Sequence, residues 1–172
     1  MKPALNVTIE LALPEEKPAL ERLMQLYLHD FSEFAEPGTS YRDIGQDGRF
    51  PDDTLDRYWR PNRRVRSIRV DGNRAGLALV NDWAPSGQPI DYALGDFFIL
   101  RKYRRRGVGR TASRMLFKQL PGTWELAVIH YNAPALSFWR KRLSSVPGCK
   151  VDELVGDGKR WKGWVFRLTP VK

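Results

Sequence analysis

Residues Arg101–Arg110, RKYRRRGVGR, place two glycines and six positive charges between an apolar run and an amphipathic one. The apolar run, Asp96–Leu100 (DFFIL), is short, aromatic and branched, with a turn-like Gly95 ahead of it, and reads as a buried strand. Downstream, Val108, Ala112, Met115, Leu116 and Leu120 recur at helical spacing and Pro121-Gly122 ends the pattern, so Val108 to Leu120 reads as a helix. Strand, glycine turn, helix is therefore the expected local architecture. The first turn of such a helix has backbone N–H groups without intrahelical partners, at the positive end of the helix dipole, and a phosphate can sit on them. Gly107 and Gly109 carry no Cβ and would let that ligand approach the backbone closely.

Length and composition bound the rest. With 172 residues and 42% apolar content, the chain can bury one sizeable core, and a single domain over 1–172 is expected. No run approaches the roughly eighteen apolar residues of a membrane span, and Asn6, Thr8 and Glu10 break up any signal-peptide core. One cysteine, Cys149, excludes an internal disulfide, and with only His29 and His130 there is no metal-ligand spacing. The expectation is a cytoplasmic, metal-free domain with no membrane partner.

The net charge of +9 is uneven. Between Asp30 and Asp56 stand eight acids (Asp30, Glu33, Glu36, Asp43, Asp47, Asp52, Asp53, Asp56) against Arg42 and Arg49, a window of −6 that leaves +15 for the remainder. An acidic lobe on a basic body suggests two ligands of opposite sign, an anion at the glycine turn and a cation at the acidic segment; the alternative is a solvated loop.

Along the chain, Val7, Ile9 and Leu11 alternate with Thr8 and Glu10, predicting a first strand with one buried face. Leu20, Leu23, Met24, Tyr27 and Leu28 predict a helix that tolerates Pro18 in its first turn. Phe31, Phe34 and Tyr41 fall in a long acidic loop beyond it, followed by a short helix around Asp53 to Trp59 with Leu55, Tyr58 and Trp59 on one face. Val65–Val70 and Ala75–Val80 form a hairpin through Asp71-Gly72-Asn73. After the glycine-turn helix come a strand at Trp124–Ile129, a short helix at Ala135–Arg142, and strands near Lys150–Leu154 and Trp161–Leu168, with Trp124, Trp161 and Trp164 in strands. The order β, α, α, β, β, β, α, β, α, β, β indicates an α/β fold, a central mixed β-sheet flanked by helices, with an antiparallel portion in its middle.

Gly107-Val108-Gly109-Arg110-Thr111-Ala112 also matches the dinucleotide fingerprint GxGxxA, but about a hundred residues precede it and the later strand ends in Ile129-His130-Tyr131-Asn132 without a carboxylate. No Gly-Lys-Ser/Thr follows, which excludes a P-loop. Arg104-Arg105-Arg106-Gly107-Val108-Gly109 instead resembles the acetyl-CoA signature Arg/Gln-x-x-Gly-x-Gly/Ala of the GCN5-related N-acetyltransferase (GNAT) superfamily. One helix and one strand later, Asn132-Ala133-Pro134-Ala135-Leu136-Ser137-Phe138-Trp139 resembles its Asn-x-x-Ala-x-x-Phe-Tyr motif, and the element order is similar throughout.

The resemblance implies a GNAT-like acyl-CoA N-acyltransferase fold that uses acetyl-CoA as donor. In that arrangement the backbone of Phe97, Phe98 and Ile99 would pair with the pantetheine arm like an added strand, and the amides of Arg104, Arg105, Arg106, Gly107, Val108, Gly109 and Arg110 would cradle the pyrophosphate. The arginine side chains would favour the anion, and Asn132 would contact the cofactor where the two central strands splay. The implied chemistry is N-acetylation by direct attack of an amine in a ternary complex. An alkyl amine is mostly protonated near neutral pH, so a base is needed. Two of the superfamily's commonest catalytic positions are vacant here: Trp139 stands where a tyrosine often serves as acid, and Ala127 where a glutamate is found five residues before the asparagine. Asp96 is the first substitute as base and Glu33 the second, with His130 and Tyr131 nearby in sequence.

The superfamily's acceptor site commonly borders the loop between the first two helices, so the acidic segment with Phe31, Phe34 and Tyr41 implies a cationic amine acceptor, small molecule or peptide. The alternative function is a non-catalytic acyl-CoA-binding module of the same fold, motivated by Ala127 and Trp139. No nucleic-acid motif accompanies Arg63, Arg64, Arg66, Arg69 and the arginine run, so no nucleic-acid partner is expected; the superfamily's habit of dimerising allows a homodimer.

Overall fold

A computed structural model describes residues 4–34, 43–51, 54–61, 63–144 and 146–171. The chain runs β1 (Val7–Leu11), α1 (Lys17–Ser32), α2 (Thr54–Arg57), β2 (Arg64–Val70), β3 (Asn73–Asn81), β4 (Tyr92–Ile99), α3 (Val108–Gln119), β5 (Trp124–Ile129), α4 (Ala133–Leu143), β6 (Cys149–Val155) and β7 (Gly163–Pro170), with 3₁₀ turns at Pro14–Glu16 and Arg101–Tyr103. All seven strands form one sheet in the order β1-β2-β3-β4-β5-β7-β6. Only the central β4–β5 pair is parallel, so the antiparallel meander β1–β4 meets the β5–β7–β6 unit at that seam.

Alternation along β3 divides the core. Leu77 and Leu79 pack with Leu20, Leu23 and Met24 of α1 and with Leu55 and Tyr58, while Ala78 and Val80 face the other way, toward Val108, Ala112 and Leu116 of α3 and Trp139 and Leu143 of α4. Covered on both sides, β3 is buried over its last seven residues, as a central strand between helical layers should be. Each fully buried leucine contributes about 1.5–3 kcal/mol of transfer free energy.

Several boundaries differ from expectation, each for a physical reason. Of the face expected on β1, Ile9 is buried but Leu11, the last residue of this edge strand, is 56% exposed. The first helix continues through Phe31 to Ser32, so Phe31 belongs to α1, where its ring lies 5.4 Å from that of Tyr27. The second helix is a single turn, Thr54–Arg57, with Asp53 outside the described residues; Leu55 and Tyr58 are buried and Trp59 packs beside them, as their shared face implies. The hairpin turn is as expected, with Asp71 and Gly72 both at positive φ (50° and 78°). The fourth strand starts at Tyr92 and ends at Ile99, so Gly95 is a residue within it and Leu100 lies beyond its end. α4 is longer than expected at both ends, and Trp161 precedes β7 in a turn closed by the Gly158 N–H donating to the Trp161 carbonyl (3.0 Å).

Candidate active site

β4 and β5 pair only at Tyr92↔Trp124, Ala93↔Glu125 and Leu94↔Leu126, although both strands continue, to Ile99 and Ile129. The sheet therefore opens into a V at Gly95, and the β4 main chain from Asp96 to Ile99 has no strand partner on the β5 flank. That flank is a template for an extended ligand arm, and it contains Phe97, Phe98 and Ile99. Their side chains do other work: Phe98 is buried against α1, and Phe97 stacks at 6.3 Å on Phe138 and meets Trp139 edge-on at 5.4 Å.

At the far end of β4 the arginine-glycine loop is held from behind. The Arg104 Nε donates to the Ile99 carbonyl (2.6 Å), and its guanidinium also pairs with Asp30 of α1. Arg101 joins the same carboxylate at 2.8 Å. Partial burial pushes the Asp30 carboxyl up, but the bonds from Arg101 and Arg104 outweigh it and hold the group below its ordinary value. The Arg104 side chain thus braces the loop; Arg105, Arg106 and Arg110 are exposed, as Arg104 itself is. Arg105 (φ 56°) and Gly107 (φ 82°) are both left-handed, and Gly107 is the N-cap of α3 with no side chain capping it. The first intrahelical bond is Thr111 N–H to the Gly107 carbonyl (2.9 Å), which leaves the amides of Val108, Gly109 and Arg110 without that kind of partner.

The two glycines have different roles. A Cβ at Gly107 would meet nothing within 4 Å, so this residue fronts open space; a Cβ at Gly109 would press on Phe138 Cζ at 3.3 Å and Ile99 Cγ1 at 3.7 Å. The missing Cβ of Gly109 therefore lets α3 close onto α4, while its amide stays among the unpartnered N–H groups of the first turn. Gly107→Val forces a β-branched residue into the left-handed region, at a cost of about 1–3 kcal/mol, and projects methyls into the space before the helix. The expected result is a folded protein whose melting temperature no longer rises with acetyl-CoA, where the parent gains about 2.7 kcal/mol at a hundred times Kd.

A polar cluster sits where the V begins. Between Leu79↔Asp96 and Val80↔Leu94 the register shifts, leaving Gly95 as a bulge. A Cβ on Gly95 would lie 2.3 Å from the Tyr58 Oη and 2.8 Å from the Asn81 Nδ2, so glycine is what admits these two side chains. Asn81 Oδ1 accepts the Trp83 N–H (2.8 Å), which fixes the amide orientation and directs Nδ2 to donate to Tyr58 Oη (2.7 Å). Burial first, and then the charge of Asp96, push the Tyr58 phenol up to about 12, so it remains a hydroxyl at neutral pH. Tyr27 donates to Asp96 Oδ1 at 2.6 Å. Tyr27, Tyr58 and Asn81 were not singled out as site residues from the sequence.

The other expected residues lie further off. Glu33 is exposed at the C-cap of α1, where its charge is felt by Arg101 on the loop side. Asn132 is the N-cap of α4, its Oδ1 accepting the Ala135 N–H at 3.0 Å. His130 and Tyr131 are exposed, Trp139 is buried against Phe97 and Phe138, and Ala127 pairs with Val165 of β7. Among the described residues no group of three or more His, Cys, Asp or Glu could hold a metal ion, and no helix is long and apolar enough to cross a membrane.

A family model described as the acetyltransferase (GNAT) family matches residues 20–144, a span that includes both the V and the glycine loop. The chain belongs to that family. The fold is shared by solved structures: an acetyltransferase from Thermus thermophilus (TM-score 0.65, 19% identity, 98% of this chain and 99% of that one) and a GNAT acetyltransferase from Streptococcus agalactiae (0.62, 17%, 96% and 95%). A third is the PaiA N-acetyltransferase from Thermoplasma acidophilum in complex with coenzyme A (0.60, 13%, 95% and 99%). No curated protein sequence matches the chain. As a GNAT acetyltransferase the protein uses acetyl-CoA as its donor, and the open flank of β4 and the uncapped start of α3 fit that ligand's arm and pyrophosphate.

The acidic segment of this GNAT protein is less negative in space than in sequence. Asp30 is paired with Arg101 and Arg104, and Asp56 with Lys17 at 2.6 Å. Asp47 accepts the Arg49 N–H within its own turn (3.1 Å). Tyr41, Glu36 and Asp52 lie outside the described residues.

Proposed function

We propose that the protein transfers the acetyl group of acetyl-CoA to a primary amine that arrives as an ammonium ion, by direct attack within a ternary complex. The observation that supports this reading is a carboxylate, Asp96, fixed by Tyr27 at the point where β4 leaves β5. Acetyl-CoA supplies an acyl group already activated as a thioester. In the proposed reaction Asp96 takes the ammonium proton, which frees the nitrogen lone pair for attack on the acetyl carbon; the carbon–sulfur bond then breaks, and the second proton, shed by the nitrogen as the amide forms, passes to the departing thiolate or to water. A CoA-like thiol titrates near the ~8.5 of cysteine, so its thiolate leaves without a dedicated acid, consistent with Trp139 in place of a tyrosine. Asp96 is preferred to Glu33 because Glu33 is exposed and faces the Arg101 side. The rings of Tyr27, Phe31 and Phe34, in successive contact at 5.4 and 6.0 Å, offer cation–π surface to the incoming ammonium. Phe97 to Ile99, the backbone from Arg104 to Arg110, and Asn132 are proposed to hold the coenzyme.

The test is thiol release from acetyl-CoA in the presence of polyamines, aminoglycosides, amino acids and peptides, with alcohols as controls. Turnover with amines alone is expected. A preference for neutral or anionic acceptors without an ammonium group overturns the acceptor class. Acetyl-CoA binding without turnover of any acceptor favours the non-catalytic module, the reading that Ala127 and Trp139 support.

A further inference from the structure

The connection between β6 and β7 carries a cation that the chemistry above does not use. Its turn is organised by Asp157, whose Oδ1 accepts the N–H groups of Lys159 (2.9 Å), Arg160 (2.6 Å) and Trp161 (3.4 Å). The Arg160 side chain reaches over to the β3–β4 connection instead. There its Nε donates to the Ala84 carbonyl (2.7 Å) and its guanidinium carbon lies 5.1 Å from the centroid of the Trp83 ring. Trp83 meets Trp161 edge-on at 6.5 Å, and the Trp161 Nε1 donates to the Val128 carbonyl of β5 (3.4 Å). The two terminal guanidinium nitrogens of Arg160 have neither a hydrogen-bond nor an ion-pair partner among the described residues.

That combination differs from an ordinary surface arginine. A solvated arginine must give up rotamer freedom before it can grip a ligand. Here one nitrogen is bonded to backbone and the plane rests on an indole, so the outward fork is already oriented for a planar, bidentate anion. The indole beneath it is itself 41% exposed. A chain of bonds links it to the proposed reacting centre: the Trp83 N–H is held by Asn81, whose other end holds Tyr58 beside Gly95, the neighbour of Asp96. Asn81 thus connects the Trp83–Arg160 pair to the polar cluster beside Asp96, so one linked set of side chains offers an anion for an ammonium and a cation for a carboxylate.

We infer that the acceptor is an amino carboxylate, an amino acid or short peptide with an apolar or aromatic portion, whose carboxylate is received by Arg160 and whose side chain rests on Trp83 and Trp161. This rests on the reading of the protein as an amine acetyltransferase and adds the acceptor's second charge. The test uses matched pairs that differ only in the carboxylate, phenylalanine against phenethylamine and lysine against cadaverine, with the parent protein, Arg160→Gln and Arg160→Lys. The carboxylate member is expected to have the higher kcat/KM, chiefly through KM. Arg160→Gln should lower it by about 10- to 100-fold while the decarboxylated member changes less than about twofold, and Arg160→Lys should fall between. Equal or better turnover of the decarboxylated members, or an equal loss for both members in Arg160→Gln, overturns the inference. If no amine turns over although acetyl-CoA raises the melting temperature, the enzymatic reading fails and calorimetric binding of the same pairs decides the inference separately. Tighter binding of the carboxylate member that disappears in Arg160→Gln upholds the subsite, and no preference overturns it.

Discussion

Asp96→Asn is expected to reduce kcat by about 10²- to 10⁴-fold while leaving acetyl-CoA binding intact. Asparagine preserves the shape of the side chain and can still accept the Tyr27 hydroxyl, so the bulge at Gly95 and the core beside it should survive. What it loses is the capacity to take a proton. The variant must then use the small fraction of amine that is already neutral in solution, so its rate should climb about tenfold per pH unit toward the ~10.4 of an alkyl ammonium. The parent's rate should be flatter across the same range, because its own carboxylate removes the proton inside the site. Tyr27→Phe removes the bond that orients Asp96 without removing the base, and a smaller loss, about tenfold, is expected from misalignment. Full turnover by Asp96→Asn with a pH profile parallel to the parent's would eliminate Asp96 as the base.

How well such residues can be read from sequence depends on how local their determinants are. The expected strand Trp124–Ile129 coincides with β5, since an apolar run just after the Pro121-Gly122 break is a local signal. The start of β4 was not legible, since Gly95-Asp96 looks like a turn to any local rule. It is a bulge only because Tyr58 and Asn81, 37 and 14 positions earlier, fill the space its missing Cβ leaves. The sequence predicts a strand from Trp161 to Leu168, yet the Trp161 carbonyl is taken by Gly158 across a tight turn and cannot join the ladder with β5. The helical pattern of α1 fades after Leu28, whereas the helix runs on to Ser32, through Asp30, which pairs with arginines 71 and 74 positions away, and the Tyr27–Phe31 ring contact.

The same distinction separates the two halves of the site. The proposed phosphate end is legible because it rests on main-chain amides at a helix start, so the strand, glycine turn and helix order carries that geometry by itself. The proposed acceptor end draws on side chains from α1, β3 and β4, on Tyr58 just after α2 and on two connections, and no local pattern announces that Tyr27 meets Asp96 across 69 positions. Charge counting was misleading in a specific way. The window of −6 was correct as arithmetic, but Asp30 and Asp56 are neutralised by partners outside it, so the segment exerts a weaker field than its composition suggests. The Trp83–Arg160 block was equally invisible, because its two members are 77 positions apart and only the fold brings a cation to that bank.

Glu125→Ala is expected to destabilise the protein by about 3–5 kcal/mol, read as a lowered urea midpoint. Glu125 is fully buried on β5 and accepts the Ser86 N–H (3.0 Å), the Ser86 hydroxyl (2.5 Å) and Arg167 Nη1 (2.6 Å). Truncation leaves the Arg167 guanidinium, itself only 16% exposed, without its counter-charge, and strands two donors of Ser86. Glu125→Gln keeps the volume and one acceptor and should cost less. Removing both charges, in Glu125→Ala with Arg167→Ala, should cost less than the sum of the two single changes, since no lone charge stays buried. The functional consequence follows from what Ser86 anchors: the β3–β4 connection, which bears Trp83 and the Ala84 carbonyl that holds Arg160. Below its melting temperature the Glu125→Ala protein should therefore still gain stability from acetyl-CoA, because the glycine loop lies at the opposite end of β4. Its discrimination between amino carboxylates and their decarboxylated analogues should shrink, because the cation that reads the carboxylate has lost its footing. An unfolding free energy within about 1 kcal/mol of the parent's would mean that water or a rearranged Arg167 replaces the carboxylate, and the buried pair would no longer explain how this connection is held.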